Sequence, residues 1–381
     1  MVVAPFKEAV DAVVEAGGEA LKLCYQCGLC TGTCPWNLVR SFLLRRIIHQ
    51  AQLGLADFES EDTWLCATCR ACVSRCPRGV EIIDIMRGLR RVIVEMGAGY
   101  LPDSLRVTMK NIAGVGNPQG EGQEKRDDWA KNLNVKPFTK GTEILYFSCC
   151  VPAYDPSIKR VAQATASILK KAEVDFGILG PRESCCGESV RKAGNESLFQ
   201  SLAQSNISTF MENGVTKIVV NSPHCYNAFK NEYPELGGNF EVIHYTQYLA
   251  ELIKEGRLKF SKELNKKVTY HDPCYLGRHN NVYEEPREVL RSIPGLELVE
   301  MPDFAENGLC CGGGGGRIWM ETKKGERFSD LRIDQAMEVG ASILAAACPY
   351  CLLNFEDSVL TTDKGNVPQV KDISELVQEA I

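Results

Sequence analysis

The chain lacks any apolar run long enough to cross a bilayer, which takes about 18–20 residues. Its longest such stretch, Ile343–Leu353, is short and is broken by Cys348, Pro349 and Cys351. It also lacks a basic segment followed by an apolar core near its start, so no secretory leader is expected. Basic charge is not in excess. Lys and Arg number 43 against 49 Asp and Glu, and the net charge of -6 gives no general pull toward nucleic acid or an anionic membrane. Nothing reads as a flavin or nicotinamide site. The glycine run Gly312–Gly316 lacks the Lys-Ser/Thr ending of a phosphate-binding loop. These absences predict a cytoplasmic protein with no direct membrane span and no nucleic-acid partner. Its 381 residues suffice for two or three domains.

What the chain does have is 18 cysteines. A disulfide framework suits small secreted chains, whereas dense cysteine in a reducing compartment reads as metal binding. Cys24-x2-Cys27-x2-Cys30-x3-Cys34-Pro35 recurs as Cys66-x2-Cys69-x2-Cys72-x3-Cys76-Pro77. This is the spacing of a ferredoxin with two [4Fe-4S] cubes, in which three close thiolates wrap one cube and the fourth reaches the other. The predicted sets are therefore Cys24, Cys27, Cys30 and Cys76 for one cluster and Cys66, Cys69, Cys72 and Cys34 for the second. Two structural zinc sites are the alternative, but zinc favours paired cysteines over triplets with a proline-flanked fourth. The crossed sets tie the halves together, so this domain should not fold without iron.

Around the motifs the apolar spacing is helical. Phe6, Val10, Val13, Val14 and Leu21 precede Cys24. Leu38, Phe42, Ile47, Ile48 and Leu53 lie in the helix expected across Trp36–Leu65. Ile82, Ile85, Met86, Leu89, Val92, Ile93 and Met96 follow Cys76. Arg70, Arg75, Arg78, Arg87, Arg90 and Arg91 lie near the second motif, either as a solvated face that compensates anionic clusters or as a docking patch for an acidic electron donor. The segment 99–142, with its glycines and the charged run Glu124–Asp128, reads as an exposed connector with a short helix near Trp129.

Beyond the connector the chain repeats itself. Cys149, Cys185 and Cys186 recur 125 residues later as Cys274, Cys310 and Cys311, and Cys225 recurs after 126 as Cys351. The second copy is complete: Cys274-x35-Cys310-Cys311-Gly312-x35-Cys348-x2-Cys351. The first has Ser222 where Cys348 would align, and an extra thiol at Cys150. Each copy has the rhythm of an α/β unit. Strands are expected at 143–147, 174–179 and 217–220, then at 267–270, 296–300 and 342–346, most of them ending just before a cysteine, where open α/β sheets place their ligands. The predicted fold is thus α+β and multidomain. A mostly helical two-cluster ferredoxin domain over 1–98 and the linker are followed by two tandem α/β cysteine-rich repeats, 143–262 and 263–381.

The five-cysteine pattern, with Tyr270-His271-Asp272-Pro273-Cys274-Tyr275-Leu276-Gly277-Arg278 and Cys310-Cys311-Gly312-Gly313-Gly314, resembles the cysteine-rich domain of heterodisulfide reductase catalytic subunits and their relatives. The resemblance covers nearly the whole chain. It implies an unusual, non-cubane [4Fe-4S] cluster at Cys274, Cys310, Cys311, Cys348 and Cys351, the catalytic candidates, because a fifth thiolate lets a cluster open toward a sulfur substrate. A plain cube with one bystander thiol is the alternative there. In the first repeat, Cys149, Cys150, Cys185, Cys186 and Cys225 hold a conventional cube, an altered cluster or a vestigial site. The glycine run brings backbone N–H groups near cluster sulfides. His224, His271 and His279 deliver protons or serve as structural hydrogen-bonding groups.

Three functions follow from this resemblance. The first is an electron-transfer subunit of an anaerobic redox complex, with other redox subunits, flavin-containing ones among them, and a terminal reductase or dehydrogenase as partners, and with membrane association through those partners. Possible parents are class II benzoyl-CoA reductase complexes and glycolate or lactate oxidase systems. The second is a heterodisulfide reductase that cleaves its substrate at the Cys274–Cys351 cluster, against which Ser222 counts. The third is a redox-sensing scaffold.

Overall fold

The computed structural model describes residues 5–55, 57, 60–97 and 99–381. The limits 1 and 98 expected for the first domain fall outside these residues. The N-terminal part is helical. In the helix Ile82–Met96, Ile82, Ile85, Met86, Leu89, Val92 and Ile93 recur three and four apart and are all buried. Each such aliphatic side chain contributes about 1.5–3 kcal/mol on leaving water. The span Trp36–Leu65 is not one helix. A tight turn at Pro35–Leu38, a helix at Leu44–Gln52 and a single turn at Asp62–Leu65 replace it, and residues 56, 58 and 59 lie outside the described residues. Pro35 fixes the first break, and the indole N–H of Trp36 donates to the Leu65 carbonyl, folding the segment back on itself.

The segment from 99 to 142 departs from the exposed connector expected. It contains the helix Asp103–Val115, whose Leu105, Met109 and Ile112 are buried in the core shared with the repeats. The short helical turn near Trp129 is present at Asp128–Ala130, and the indole is only 2% exposed. The glycines from 114 to 122 disguise this apolar spacing in the sequence.

The two repeats are copies in topology. Strands β1 (Ile144–Phe147), β2 (Phe176–Gly177), β3 (Lys217–Val220) and β4 (Glu241–His244) form a parallel sheet in the order β2-β1-β3-β4. Strands β5 (Lys267–Tyr270), β6 (Glu297–Val299), β7 (Ile343–Ala346) and β8 (Gln369–Asp372) form the second, in the order β6-β5-β7-β8. In register, Leu145 pairs with Ile218 and Val268 with Ile343, so the central strands are apolar on both faces, as helix-covered parallel sheets require. The repeats interlock. The helix Tyr245–Lys254, which ends the first, packs on Glu284–Ser292 of the second, and Ile373–Ala380, which ends the second, packs on Lys159–Lys171 of the first. A buried bond from the Tyr245 hydroxyl to Asp372 (2.7 Å) stands where these exchanged ends meet. The cysteine-bearing loops leave the carboxyl ends of β1, β3, β5 and β7.

Candidate metal centres

All 18 cysteines are free thiols. In the N-terminal part Cys30, Cys66 and Cys72 are buried, Cys24, Cys34, Cys69 and Cys76 are half-buried, and Cys27 is exposed. Cys34 lies among the thiols of the other motif. Burial pushes its pKa up, and the neighbouring Cys69 and Cys66 add to that. Cys72 is pushed up in the same way, by burial and then by Cys66, Cys69 and Cys34. Cys24 and Cys76 pack with Cys30 in the same core. Donors already aim at two of these sulfurs: the Gln26 side chain at Cys24 Sγ (3.5 Å) and the Val80 N–H at Cys76 Sγ (3.4 Å).

In the second repeat Cys274 Sγ is 4.0 Å from Cys310 Sγ, and Cys351 Sγ is 3.2 Å from Cys311 Sγ. The Gly312 N–H donates to Cys310 Sγ at 3.2 Å. His271, Cys311 and Cys351 bring one possible ligand atom each within 4.8 Å of one another. Cys348 caps the helix Pro349–Thr361. Burial pushes its thiol up, but hydrogen bonds from Cys351 and His224 outweigh this and hold it at about 6. His224 answers in kind. Burial pulls it down, but Glu188 at 3.1 Å and the Cys348 sulfur raise it to about 10. His224 comes from the first repeat, so this pair joins the two repeats. His279 is a packing residue, with Nε2 bonded to the Thr68 carbonyl (2.8 Å) and its ring stacked on Tyr275.

Sequence reasoning missed two junctions. Cys69 of the ferredoxin-type part packs in one core with Cys274 and Cys310 of the second repeat, and the nearby Cys310 thiol, followed by burial, drives Cys69 well up. Arg278 fixes the junction by donating to the Cys69 carbonyl (2.7 Å) and the Gly308 carbonyl (2.6 Å). The glycine run has a second task beside Gly312. A Cβ on Gly314 would lie 2.3 Å from the Ala67 carbonyl, and one on Gly315 would lie 2.6 Å from that of Cys66. The run is where the second repeat meets the ferredoxin-type loop, backbone to backbone.

Each arginine near the second motif has a partner of its own or is buried. Arg70, Arg87 and Arg91 pair with Glu81, Asp84 and Glu95. Arg75 bonds Asn307, Arg78 lies over Tyr25, and Arg90 is fully buried. A cavity of about 500 Å³ opens against Cys311 and Gly312, walled by Trp36, Arg317, Phe328 and Asn354.

The donor set fits iron–sulfur clusters. Cys34, Cys72, Cys225 and Cys351 are all pushed up, by burial first and then by adjacent groups that include other cysteine thiols. Sulfurs this crowded ionise together only when a metal neutralises them, and all-thiolate sets select zinc or iron–sulfur.

These features define a class: a two-cluster ferredoxin-type domain joined to two cysteine-rich domains. The chain matches the cysteine-rich domain family over residues 144–230 and 268–356, and the 4Fe-4S dicluster domain family over 23–81. It is 32% identical to one component of the dihydromethanophenazine:CoB–CoM heterodisulfide reductase of Methanosarcina barkeri, a match covering 95% of this chain and 94% of that one. It is 40% identical to the probable iron-sulfur-binding oxidoreductase FadF of Bacillus subtilis and 40% identical to the EtfAB:quinone oxidoreductase of Syntrophomonas wolfei, in each case over 84% of this chain and 47% of the relative. The chain belongs to the family that unites this heterodisulfide reductase component with FadF-like iron–sulfur oxidoreductases. It spans about half the length of the last two relatives. The dicluster domain implies two [4Fe-4S] clusters, and the cysteine-rich domains imply further iron–sulfur binding. No helix among the described residues is long and apolar enough to cross a membrane.

Proposed function

We propose that the chain is an electron-transfer subunit of a larger redox complex. The observation that carries this reading is the shared core in which Cys66, Cys69 and Cys72 of the second ferredoxin-type set pack with Cys274 and Cys310 of the complete five-cysteine set. Iron–sulfur clusters held there supply one-electron acceptance and release, and the five-thiol set of Cys274, Cys310, Cys311, Cys348 and Cys351 suits a non-cubane cluster. The chain's own residues set the order. Cys27 is exposed, so the set with Cys24, Cys30 and Cys76 faces an outside partner. The sets behind it are mostly buried, which shields them from water and oxidants. His224 stands between the repeats, with Cys348 on one side and Glu188 on the other. The relative named EtfAB:quinone oxidoreductase supports other redox subunits as partners, which in this reading are a flavoprotein and a terminal oxidoreductase, with this chain on the cytoplasmic side.

Iron analysis of anaerobically purified protein tests the inventory. Two ferredoxin-type sets and the second repeat require at least about twelve irons per chain. Eight or fewer would overturn the claim for the repeats. A second reading, heterodisulfide reduction at the second repeat, draws support from the cavity against Cys311, which would admit a small molecule. Photoreduced protein mixed with small heterodisulfides decides between them. Electron transfer predicts no thiol release, together with co-purification of flavoprotein subunits from the native source.

A further inference from the structure

We infer that Cys150 supplies the iron ligand missing at Ser222, and that Arg126 is the positioning residue that holds it there. The inference rests on the reading that the repeats hold clusters. Ser222 is engaged elsewhere, since its Oγ accepts the His224 N–H (3.3 Å) and caps the helix Pro223–Asn227. A hydroxyl is also a poor match for the soft sites that thiolates make. Meanwhile the chain gathers the five cysteines of the first repeat, Cys149, Cys150, Cys185, Cys186 and Cys225, at one place. All five border one cavity, which Ser222, His224 and Tyr350 also line.

The backbone is bent to achieve this. Neighbouring side chains on an extended strand point to opposite faces. Cys149 instead adopts φ 71° and ψ 167°, a conformation suited to glycine, and both Cys149 and Cys150 reach the cavity. No such φ occurs at Cys274, where the second repeat has a single thiol. The Arg126 side chain is 1% exposed. It donates through Nε to Glu183 (3.0 Å) and through Nη1 to Cys150 Sγ (3.6 Å). Its Nη2 has no hydrogen-bond partner among the described residues. A buried cation with a spare N–H beside an extra thiol is what a thiolate ligand and its cluster sulfides require.

The full chain, purified anaerobically, is assayed for iron and by EPR and Mössbauer spectroscopy after reduction. Wild type is expected to hold about sixteen irons, one four-iron site more than about twelve. Cys150→Ala, with four thiols left, should lose the wild-type form of one spectral component and up to about four irons. Persistence of the ferredoxin-type signals shows that this variant is folded. Adding Ser222→Cys to it should restore both losses. Arg126→Gln should move the midpoint potential of that component alone. Wild type at about twelve irons would overturn this inference and leave the second repeat untouched, whereas about eight would overturn the reading of both repeats. Full iron and an unchanged spectrum in Cys150→Ala, or no recovery with Ser222→Cys, would remove Cys150 from the role. An unmoved midpoint would remove Arg126.

Discussion

Arg90 is a guanidinium sealed inside the protein, donating to the carbonyls of Thr63 (3.0 Å), Cys66 (2.7 Å), Lys192 (3.0 Å) and Gly315 (2.9 Å). One side chain thus binds the ferredoxin-type loop to both repeats. Burial pulls its pKa down, but four carbonyl acceptors favour the charged form. Arg90→Met should leave those acceptors without partners and cost about 3–5 kcal/mol, read as a lower thermal midpoint under anaerobic conditions. Arg90→Lys, with three donors, should recover only part. Asp372 makes a second residue-level prediction. Burial raises its carboxyl to about 7, against opposing hydrogen bonds from Ser374 and Tyr245. The folded chain then keeps a proton that the unfolded chain releases near pH 4, so stability declines as pH rises from about 4 to about 7 and is level above. Between pH 5 and 7 the decline should be about 2–3 kcal/mol. Asp372→Asn should abolish that slope. Parallel melting-versus-pH curves for variant and wild type would refute the assignment.

Among the elements, legibility follows composition. The strands β1, β3, β5 and β7 are readable because each is a short apolar run ending at a cysteine loop. By contrast β4 and β8 carry exposed or half-buried residues alternating with buried ones, at Glu241–His244 and Gln369–Asp372, and escape notice. Asn195, whose side chain accepts the Leu198 N–H, starts the helix Glu196–Glu212. The glycine run reads in the sequence as an approach to cluster sulfides. Gly312 fits that in part through its bond to Cys310 Sγ, while Gly314 and Gly315 serve docking, which depends on a surface far away in sequence. Gly314→Ala should therefore act as a docking mutation. A methyl 2.3 Å from the Ala67 carbonyl must push the loop away, at about 1–3 kcal/mol for overpacking. Limited proteolysis should then cut between the ferredoxin-type part and the repeats, and Gly313→Ala, whose nearest neighbours are the Asn354 side chain and the Tyr350 Cβ at 3.3 Å, should be milder. Equal protection of both variants would show that the close approach is unimportant.

Across the whole molecule, the sequence announces the four cysteine sets but not their order, because spacing describes each set and says nothing about which sets touch. The order comes from tertiary contacts. Cys69 packs in one core with Cys310, and Arg278 bonds both the Cys69 and Gly308 carbonyls, so one arginine holds the edge between a ferredoxin-type set and the five-cysteine set. Arg278 supplies no ligand, so Arg278→Met should leave the iron content unchanged. If this edge is the working route, the variant should still reduce its ferredoxin-type sites normally after a light pulse. Passage of reducing equivalents to the second repeat should slow by about tenfold, the effect of a barrier about 1.4 kcal/mol higher. Freeze-quench EPR separates the two events, since the ferredoxin-type signals should persist in the variant while those of the second repeat are delayed. Unchanged timing with intact iron would mean that the repeats are reached from another side, and the arrangement around Cys69 would then be structural only.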